Sequence, residues 1–105
     1  MSKIYNNITF NVDDSIVEQW KKWMKEDYLP LMAESKNIDS IKLLNILVEE
    51  EMGGQSFALM FESSDLEKTE SFAKTNISEL HRIMSEKFGQ KVVYFNTLLE
   101  EEFSI

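Results

Sequence analysis

The 105-residue chain has room for one domain, 1–105, and carries 19 acidic against 11 basic residues, a formal net charge of −8. This charge disfavours nucleic acid and anionic membrane surfaces as partners, because both are bound through lysine and arginine. The absence of cysteine excludes disulfides, thiolate metal sites and cysteine nucleophiles. No apolar run has the length of a signal peptide or a membrane span, so we expect a cytoplasmic protein.

Alternating apolar residues predict a first strand at 4–12. Ser15-Ile16-Val17-Glu18 fits a capping box and predicts the start of a helix. One broad face of this helix carries large apolar side chains, which are Ile16, Trp20, Trp23, Met24 and Leu31. Pro30 lacks a backbone N–H and therefore predicts a kink or break, followed by an irregular stretch through Asn37.

A second strand is predicted at 38–50, followed by a turn at Met52-Gly53-Gly54 and a returning strand at 55–63. Ser64-Asp65-Leu66-Glu67 fits another capping box. The helix after it has an apolar stripe, which consists of Leu66, Phe72, Ala73, Ile77, Leu80, Met84 and Phe88. Gly89 suits the helix end, and a last strand follows at 91–100. The order β-α-β-β-α-β predicts an α+β, ferredoxin-like sandwich: a four-stranded antiparallel sheet with both helices on one face.

Two strands are rich in apolar residues on both sides. Adjacent strand residues point to opposite faces of a sheet. In the strand at 38–50 both the face that contains Leu43 and the face that contains Leu44 are apolar. In the strand at 91–100 both the face that contains Val93 and the face that contains Tyr94 are apolar. Two helices can cover only one face, so the other would expose a larger apolar patch than monomers usually do. The sequence therefore predicts a homodimer through the sheet face. Packing of these residues at strand ends, or against a different protein, stays open.

Five residues are candidates for ligand binding. Trp20, Trp23 and Tyr28 on the first helix are suited to line a pocket for a flat organic molecule, although large aromatics at helical spacing more often anchor the core. Asn6 and Asn45 lie on predicted strands, where a buried amide needs a partner and can mark a polar ligand contact.

No catalytic residue, cofactor or metal site is predicted. His81 is the only histidine, lies beside the buried stripe and has no nucleophile or acid that spacing ties to it. The acidic runs 49–51 and 100–102 lack the loop spacing of calcium or magnesium ligands and are interpreted as solvated ends. The leading hypothesis is therefore a homodimeric domain, not demonstrably an enzyme, that binds a small apolar ligand or a protein partner.

Four segments carry a family resemblance, and these are Ile4-Tyr5-Asn6, Trp20-Lys21-Lys22-Trp23-Met24, Leu47-Val48-Glu49-Glu50-Glu51-Met52-Gly53-Gly54 and Phe88-Gly89-Gln90-Lys91-Val92-Val93. Through them the chain resembles a bacterial family of small ferredoxin-like domains of unknown function. More distantly it is similar to dimeric α/β-barrel proteins, in which two such sheets close around a cavity.

Some dimeric α/β-barrel proteins are cofactor-independent monooxygenases or act on small organic molecules, and others bind haem. The resemblance therefore implies an alternative function, a cofactor-independent enzyme that is monooxygenase- or isomerase-like. Its apolar substrate would lie between sheet and helices, next to Asn6, Trp20, Trp23 and Tyr28.

Overall fold

The computed structural model describes residues 3–35, 38–47 and 53–105. Four strands form one sheet, and these are β1 Ile4–Val12, β2 Ser40–Asn45, β3 Gln55–Ser63 and β4 Val92–Glu100. The first helix runs through three segments, α1 Val17–Trp23, a π-helical segment Met24–Tyr28 and α2 Leu29–Ala33. The second helix is α3 Leu66–Phe88. Short 3-10 turns at Asp14–Ile16 and Gly89–Lys91 connect these elements.

The sheet has the strand order β2-β3-β1-β4, and all its neighbouring strands are antiparallel. β1 pairs with a neighbour on both sides along its whole length of nine residues. Beside β3 the register runs from Ile4 opposite Ser63 to Val12 opposite Gln55. Beside β4 the same nine residues are paired. One helical crossover joins β1 to β2 and the other joins β3 to β4. This arrangement confirms the predicted ferredoxin-like α+β fold.

One face of the sheet, which we call the helix-side face, packs against the helices. In β1 every second residue on this face is buried, and these are Ile4, Asn6, Ile8, Phe10 and Val12. Their partners in β3 continue the core through Phe57, Leu59 and Phe61. The helices supply the opposite layer of that core through Trp20, Met24, Phe72, Leu80, Met84 and Phe88.

The opposite face, which we call the open face, has no element of the described chain packed across it. Its apolar residues are exposed along β4, at Val93, Phe95 and Leu99, and at Leu44 of β2. Its β1 row is polar and half-buried, at Asn7, Thr9 and Asn11. The two-sided apolar pattern is thus confirmed at β4 and at Leu44. Val48 lies outside the described residues, and Ile46 and Leu47 follow the end of β2.

The predicted kink at Pro30 is a change of helical pitch rather than an end of the helix. The backbone N–H of Leu29 donates to the carbonyl of Met24, five residues back instead of four. Pro30 then lies in the first turn of α2. In a continuous α-helix its ring would clash with the carbonyl of Glu26, and the wider π turn relieves this clash.

The π-helical segment changes which residues reach the core. It turns Tyr28 inward, where only 2% of the residue is exposed, and leaves Leu31 54% exposed. The prediction that Leu31 shares the apolar face of the first helix was therefore wrong, because it assumed an unbroken α period. Leu66 was also predicted to be buried and is 48% exposed, since it opens the first turn of α3.

The residues that cap both helices differ from those predicted. Asp13 accepts a hydrogen bond from the backbone N–H of Ser15 at 3.0 Å and begins the 3-10 turn before α1. Asp65 accepts from the N–H of Lys68 at 3.0 Å and caps α3. Ser15 and Ser64 are therefore not the caps, because a neighbouring aspartate supplies the acceptor.

The hairpin between β2 and β3 is described in part. β2 ends at Asn45, short of the predicted residue 50, and residues 48–52, including Met52 of the predicted turn, lie outside the described chain. Gly54 has a φ of +81°, and a Cβ there would lie 2.7 Å from Asn11 Oδ1 and 2.9 Å from the carbonyl oxygen of Val12. Both its backbone conformation and this close approach require glycine at residue 54.

Candidate functional site

Asn6 is a fully buried amide in the centre of the core. It lies on the helix-side face of β1, between Phe61 of β3 and Leu98 of β4, and 0% of it is exposed. Neither its Oδ1 nor its Nδ2 has a hydrogen-bond partner among the described residues. An unpaired buried polar group costs roughly 1–3 kcal/mol and is rare in native proteins. Asn6 is therefore a candidate contact for a ligand with polar groups.

Tyr28 and Asn76 form a second buried polar pair. The hydroxyl of Tyr28 donates a hydrogen bond to Oδ1 of Asn76, and Asn76 Nδ2 has no partner among the described residues. Asn76 follows Phe72 by one turn of α3, and the ring of Phe72 lies 5.0 Å from that of Phe61. Phe61 pairs with Asn6 in the sheet, so both amides lie between α3 and the sheet, with no hydrogen bond between them. We call Asn6, Tyr28 and Asn76 the buried polar cluster.

The hydrogen bond from the protonated Tyr28 phenol fixes how Asn76 is oriented. Burial raises the pKa of the Tyr28 phenol above its usual range, and the nearby Tyr94 adds to this, whereas the bond to Asn76 works in the opposite direction. The phenol therefore keeps its proton at neutral pH and acts as a donor. Since it occupies Oδ1 of Asn76, the Nδ2 group of that amide is directed elsewhere.

Tyr94 connects the core to the surface. Its ring lies 5.7 Å from that of Phe10 in the core, and its hydroxyl lies 3.1 Å from Nδ1 of the exposed His81. Burial raises the pKa of Tyr94. An open cleft of about 650 Å³ between α3 and β4 is lined by Tyr94 and His81 together with Ile77, Ser78 and Val93. Tyr94 thus links the aromatic core with an open cleft at the surface.

The two tryptophans lie mainly in the core. Trp20 is fully buried, its ring lies 5.1 Å from Phe10 and 4.9 Å from Phe57, and its Nε1 has no partner among the described residues. The ring of Trp23 lies 5.2 Å from that of Tyr28 and also borders a surface cleft of about 240 Å³. Of the five candidates, Asn6, Tyr28 and the two tryptophans thus share the layer between helices and sheet.

Asn45 does not join the other candidates. It lies exposed at the end of β2, and its Oδ1 accepts a hydrogen bond from Nε2 of Gln55 at 3.2 Å. Asn45 and Asn6 lie on the two strands that flank β3. Asn45 is opposite Phe57 and Asn6 is opposite Phe61, so the two are also four residues apart along β3.

Two residues of the site were missed in the sequence. Asn76 lies on the apolar stripe of α3 between Ala73 and Leu80, and a polar residue at a stripe position was the available signal. Tyr94 was counted as an apolar strand residue, and its hydroxyl gave no local signal. Both belong to the site through contacts with residues distant in the chain.

Two structural features are absent from residues 3–35, 38–47 and 53–105. Within these ranges no three His, Asp or Glu side chains lie close enough together to hold a metal ion. None of the described helices is sufficiently long and apolar to cross a membrane.

Solved structures with the same fold come from several organisms. An ethyl tert-butyl ether D (EthD) family protein from Bacillus halodurans C-125 has a TM-score of 0.65 and 16% identity, covering 93% of this chain and 98% of its own. A dimeric ferredoxin-like protein from an uncultured marine organism has a TM-score of 0.55 and 10% identity over 100% of both chains. A "putative monooxygenase" from Shewanella loihica PV-4 has a TM-score of 0.55 and 14% identity over 99% of both chains. At these identities the likeness shows the fold.

No curated protein matches this chain. The resemblance read from the four sequence segments is nevertheless confirmed, because one family matches nearly the whole length, over residues 2–102. The chain belongs to the family described as "Domain of unknown function (DUF4286)".

Proposed function

We propose that this protein is a homodimer in which each subunit binds a small organic molecule between helices and sheet, at the buried polar cluster. The observation that carries the proposal is Asn6, whose two amide groups are fully buried and unpartnered. A binding site for a small molecule is typically an apolar enclosure with a few convergent polar groups. Phe61 and Phe72 supply apolar surroundings here, and the unpartnered atoms of Asn6 and Asn76 supply the polar groups.

The cost of Asn6 supports a role beyond stability. Its cross-strand neighbours Phe61 and Leu98 are apolar, so a leucine at this position would avoid the penalty of an unpaired amide. Residues that weaken the fold in this way are characteristic of functional sites. A ligand with its own hydrogen-bond donors and acceptors would pair with the amide of Asn6 and offset the penalty of leaving it unpaired.

The open face supports the homodimer. Val93 and Phe95 of β4 are 60% and 63% exposed on it. Four strands of this length span roughly 19 Å by 30 Å, or about 600 Å² per subunit, which approaches the ~800 Å² per partner of a standard interface. A second copy presents the same apolar strand, so a two-fold axis beside β4 would pair like with like. A protein of this fold from an uncultured marine organism is described as dimeric.

The variant Asn6→Leu tests the binding site. It should raise the free energy of unfolding by about 1–2 kcal/mol in urea, because it removes unpaired groups, and it should abolish retention of a small molecule in native mass spectrometry. Asn45→Leu is the matched control and should change neither quantity, since Asn45 is exposed. A crystal structure with ordered water alone at Asn6, or equal retention by both variants, would refute the proposal.

A cofactor-independent enzyme is the second candidate, and one observation favours it. The Tyr28 hydroxyl donates its hydrogen to Oδ1 of Asn76 and so fixes that amide, whose unpartnered Nδ2 is suited to donate a hydrogen bond to a substrate oxygen. Tyr28→Phe should then slow turnover of the retained molecule without preventing its binding. Unchanged product formation by this variant would count against a catalytic role.

A further inference from the structure

We infer that a second copy of this chain binds along the outer edge of β4 through an antiparallel strand pair, with Asn96 on the two-fold axis. This inference rests on the proposed homodimer and adds the contact that joins its subunits. It follows from the backbone groups that β4 directs outward, from the protective features that β4 lacks and from the side chains that such a pair would bring together.

The outer edge of β4 has no strand beside it in the part of the chain that the structure describes, because β4 ends the order β2-β3-β1-β4. Before β4, the carbonyl of Lys91 accepts a hydrogen bond from the N–H of Asp13 at 2.8 Å. After β4, the N–H of Glu101 donates to the carbonyl of Lys3 at 2.9 Å. Odd-numbered residues of β4 therefore direct their backbone groups toward β1, since this direction alternates along a strand. The even-numbered residues direct theirs outward, and these are Val92, Tyr94, Asn96, Leu98 and Glu100.

β4 also lacks the features that protect an edge strand from pairing. Natural edge strands are commonly short, charged, or interrupted by proline or a bulge. The other edge strand, β2, fits this description, since it has six residues and includes Lys42. β4 has nine residues, carries no charge or proline before Glu100 and pairs with β1 without a bulge. Its outer edge is therefore suited to bind a further strand.

A second copy pairs with this edge over its whole length when Asn96, the middle residue of β4, lies on the two-fold axis. All five outward-facing residues then exchange backbone hydrogen bonds with the partner strand. Glu100 lies opposite the partner subunit's Val92 in this register, so no like charges meet.

The pair would also cover apolar side chains on both faces of β4. Val93 and Leu99 of the open face are 60% and 44% exposed, and Leu98 of the helix-side face is 40% exposed. In the proposed register Val93 lies opposite the partner subunit's Leu99, and Tyr94 lies opposite the partner subunit's Leu98. Side chains directly opposite each other on antiparallel strands are close enough to pack.

The same register would complete the cleft that contains His81 and Tyr94. This open cleft of about 650 Å³ has Val93 and Tyr94 on its β4 side. A smaller, apolar cleft of about 150 Å³ includes Leu98 and Leu99. Because these two pairs of residues face each other across the axis, the larger cleft of each subunit adjoins the smaller cleft of its partner. Each cleft then has walls from both subunits.

The first test is Asn96→Pro, with Asn96→Ala as the matched control. Proline removes the outward N–H of residue 96 and leaves the ladder with β1 intact, because edge strands tolerate proline where the N–H faces solvent. Light scattering after size-exclusion chromatography should show a monomer for Asn96→Pro and a dimer for the wild type and Asn96→Ala. His81 is the only histidine, so its NMR ring signal reports on the cleft directly. This signal should shift in Asn96→Pro and stay in place in Asn96→Ala.

The second test is amide hydrogen exchange in the wild type, which requires no variant to fold. The outward N–H groups of Tyr94, Asn96 and Leu98 should exchange at least about a hundredfold more slowly than in an unfolded chain, because the partner strand pairs with them. The inward N–H groups of Phe95 and Thr97, which pair with β1, serve as the protected reference.

The outcomes separate the strand pair from the homodimer itself. A dimeric Asn96→Pro, or outward N–H groups that exchange as fast as in an unfolded chain, would overturn the strand pair and leave a dimer through the open face. A monomeric wild type would overturn both. An unmoved His81 signal in a monomeric Asn96→Pro would overturn the shared cleft. Where Asn96→Pro does not fold, the exchange pattern alone decides.

Discussion

At the scale of single residues, the buried polar cluster interrupts an otherwise apolar core. Asn6 sits between Phe61 and Leu98, and Asn76 sits on the stripe of α3, so each amide occupies a place where the surrounding pattern favours leucine. Tyr28 satisfies one oxygen of this set and leaves the remaining amide groups unpaired. Polar groups in low-dielectric surroundings interact strongly when paired and are costly when unpaired, which makes these three residues the most informative targets for mutation.

Tyr28 should make the fold sensitive to alkaline pH. Burial raises the pKa of Tyr28 in the folded state above the value near 10 that tyrosine has in the unfolded chain. The contribution of neutral Tyr28 to the free energy of unfolding is therefore complete below pH 10 and declines as the pH rises further. The free energy of unfolding in urea should therefore fall more steeply above pH 10 in the wild type than in Tyr28→Phe, by up to about 1.4 kcal/mol per pH unit. Tryptophan fluorescence at pH 8, 10 and 11 measures this, with pH 8 as the reference. Parallel curves for the two proteins would show that Tyr28 is not the titrating group.

At the scale of elements, the first helix owes its buried face to the π-helical segment. Trp20, Met24 and Tyr28 all reach the core, whereas a regular α period would have carried Asp27 inward and placed Leu31 beside it. Pro30 accounts for the change of pitch, because its ring excludes the α-helical arrangement with the carbonyl of residue 26. The element that breaks the regular period is thus the one that delivers Tyr28 to Asn76.

Asp65 should stabilise α3 as its N-cap. Asp65→Ala should lower the free energy of unfolding by about 1 kcal/mol, within the 0.5–2 kcal/mol usual for caps, because the N–H of Lys68 loses its acceptor. Ser64→Ala should have an effect below about 0.5 kcal/mol, since Ser64 is exposed and is not the cap. Urea denaturation of both variants measures these changes. A larger loss of unfolding free energy in Ser64→Ala than in Asp65→Ala would show that Ser64 is the N-cap, as the sequence predicted.

At the scale of the whole molecule, the two faces of the sheet differ in character. The helices cover the helix-side face along β1 and β3 but leave Leu98 of β4 40% exposed on it, while the open face has a polar β1 row and an apolar edge strand β4. Its rim is charged as well, since Lys3 pairs with Glu62 at 2.8 Å. A second copy that meets this face along β4 would cover the apolar residues and leave the charged rim in solvent.

Phe95→Lys should convert the proposed homodimer to a monomer. Phe95 is 63% exposed on the open face, and two copies of the charge would meet near the two-fold axis without compensation. Light scattering after size-exclusion chromatography should show the 12.3 kDa monomer for this variant and twice that mass for the wild type. Leu31→Lys is the control, because Leu31 is similarly exposed on the first helix and lies away from the open face. A wild type that elutes as a monomer at micromolar concentration would refute the assembly.

The sequence by itself determined the elements and their order. Alternation placed β1 at 4–12 and β3 at 55–63, and Gly89 placed the end of α3, because these patterns depend on neighbours two to four residues apart. The element order then left the ferredoxin-like arrangement as the natural topology. Asn6 was singled out because an amide within a strand pattern is a local signal, and the structure shows that it is buried.

The tertiary structure decided what those local patterns could not express. Tyr28 and Asn76 lie 48 residues apart in the chain, and their hydrogen bond exists only because the π turn and the packing of α3 bring them together. The capping aspartates, the exposed Leu31 and the role of Tyr94 likewise depend on which of several competing contacts the folded chain can form. Long-range packing selects among locally equivalent choices, and that selection is the physical reason why the sequence indicated Asn6 and Tyr28 but only the fold showed Asn76 and Tyr94.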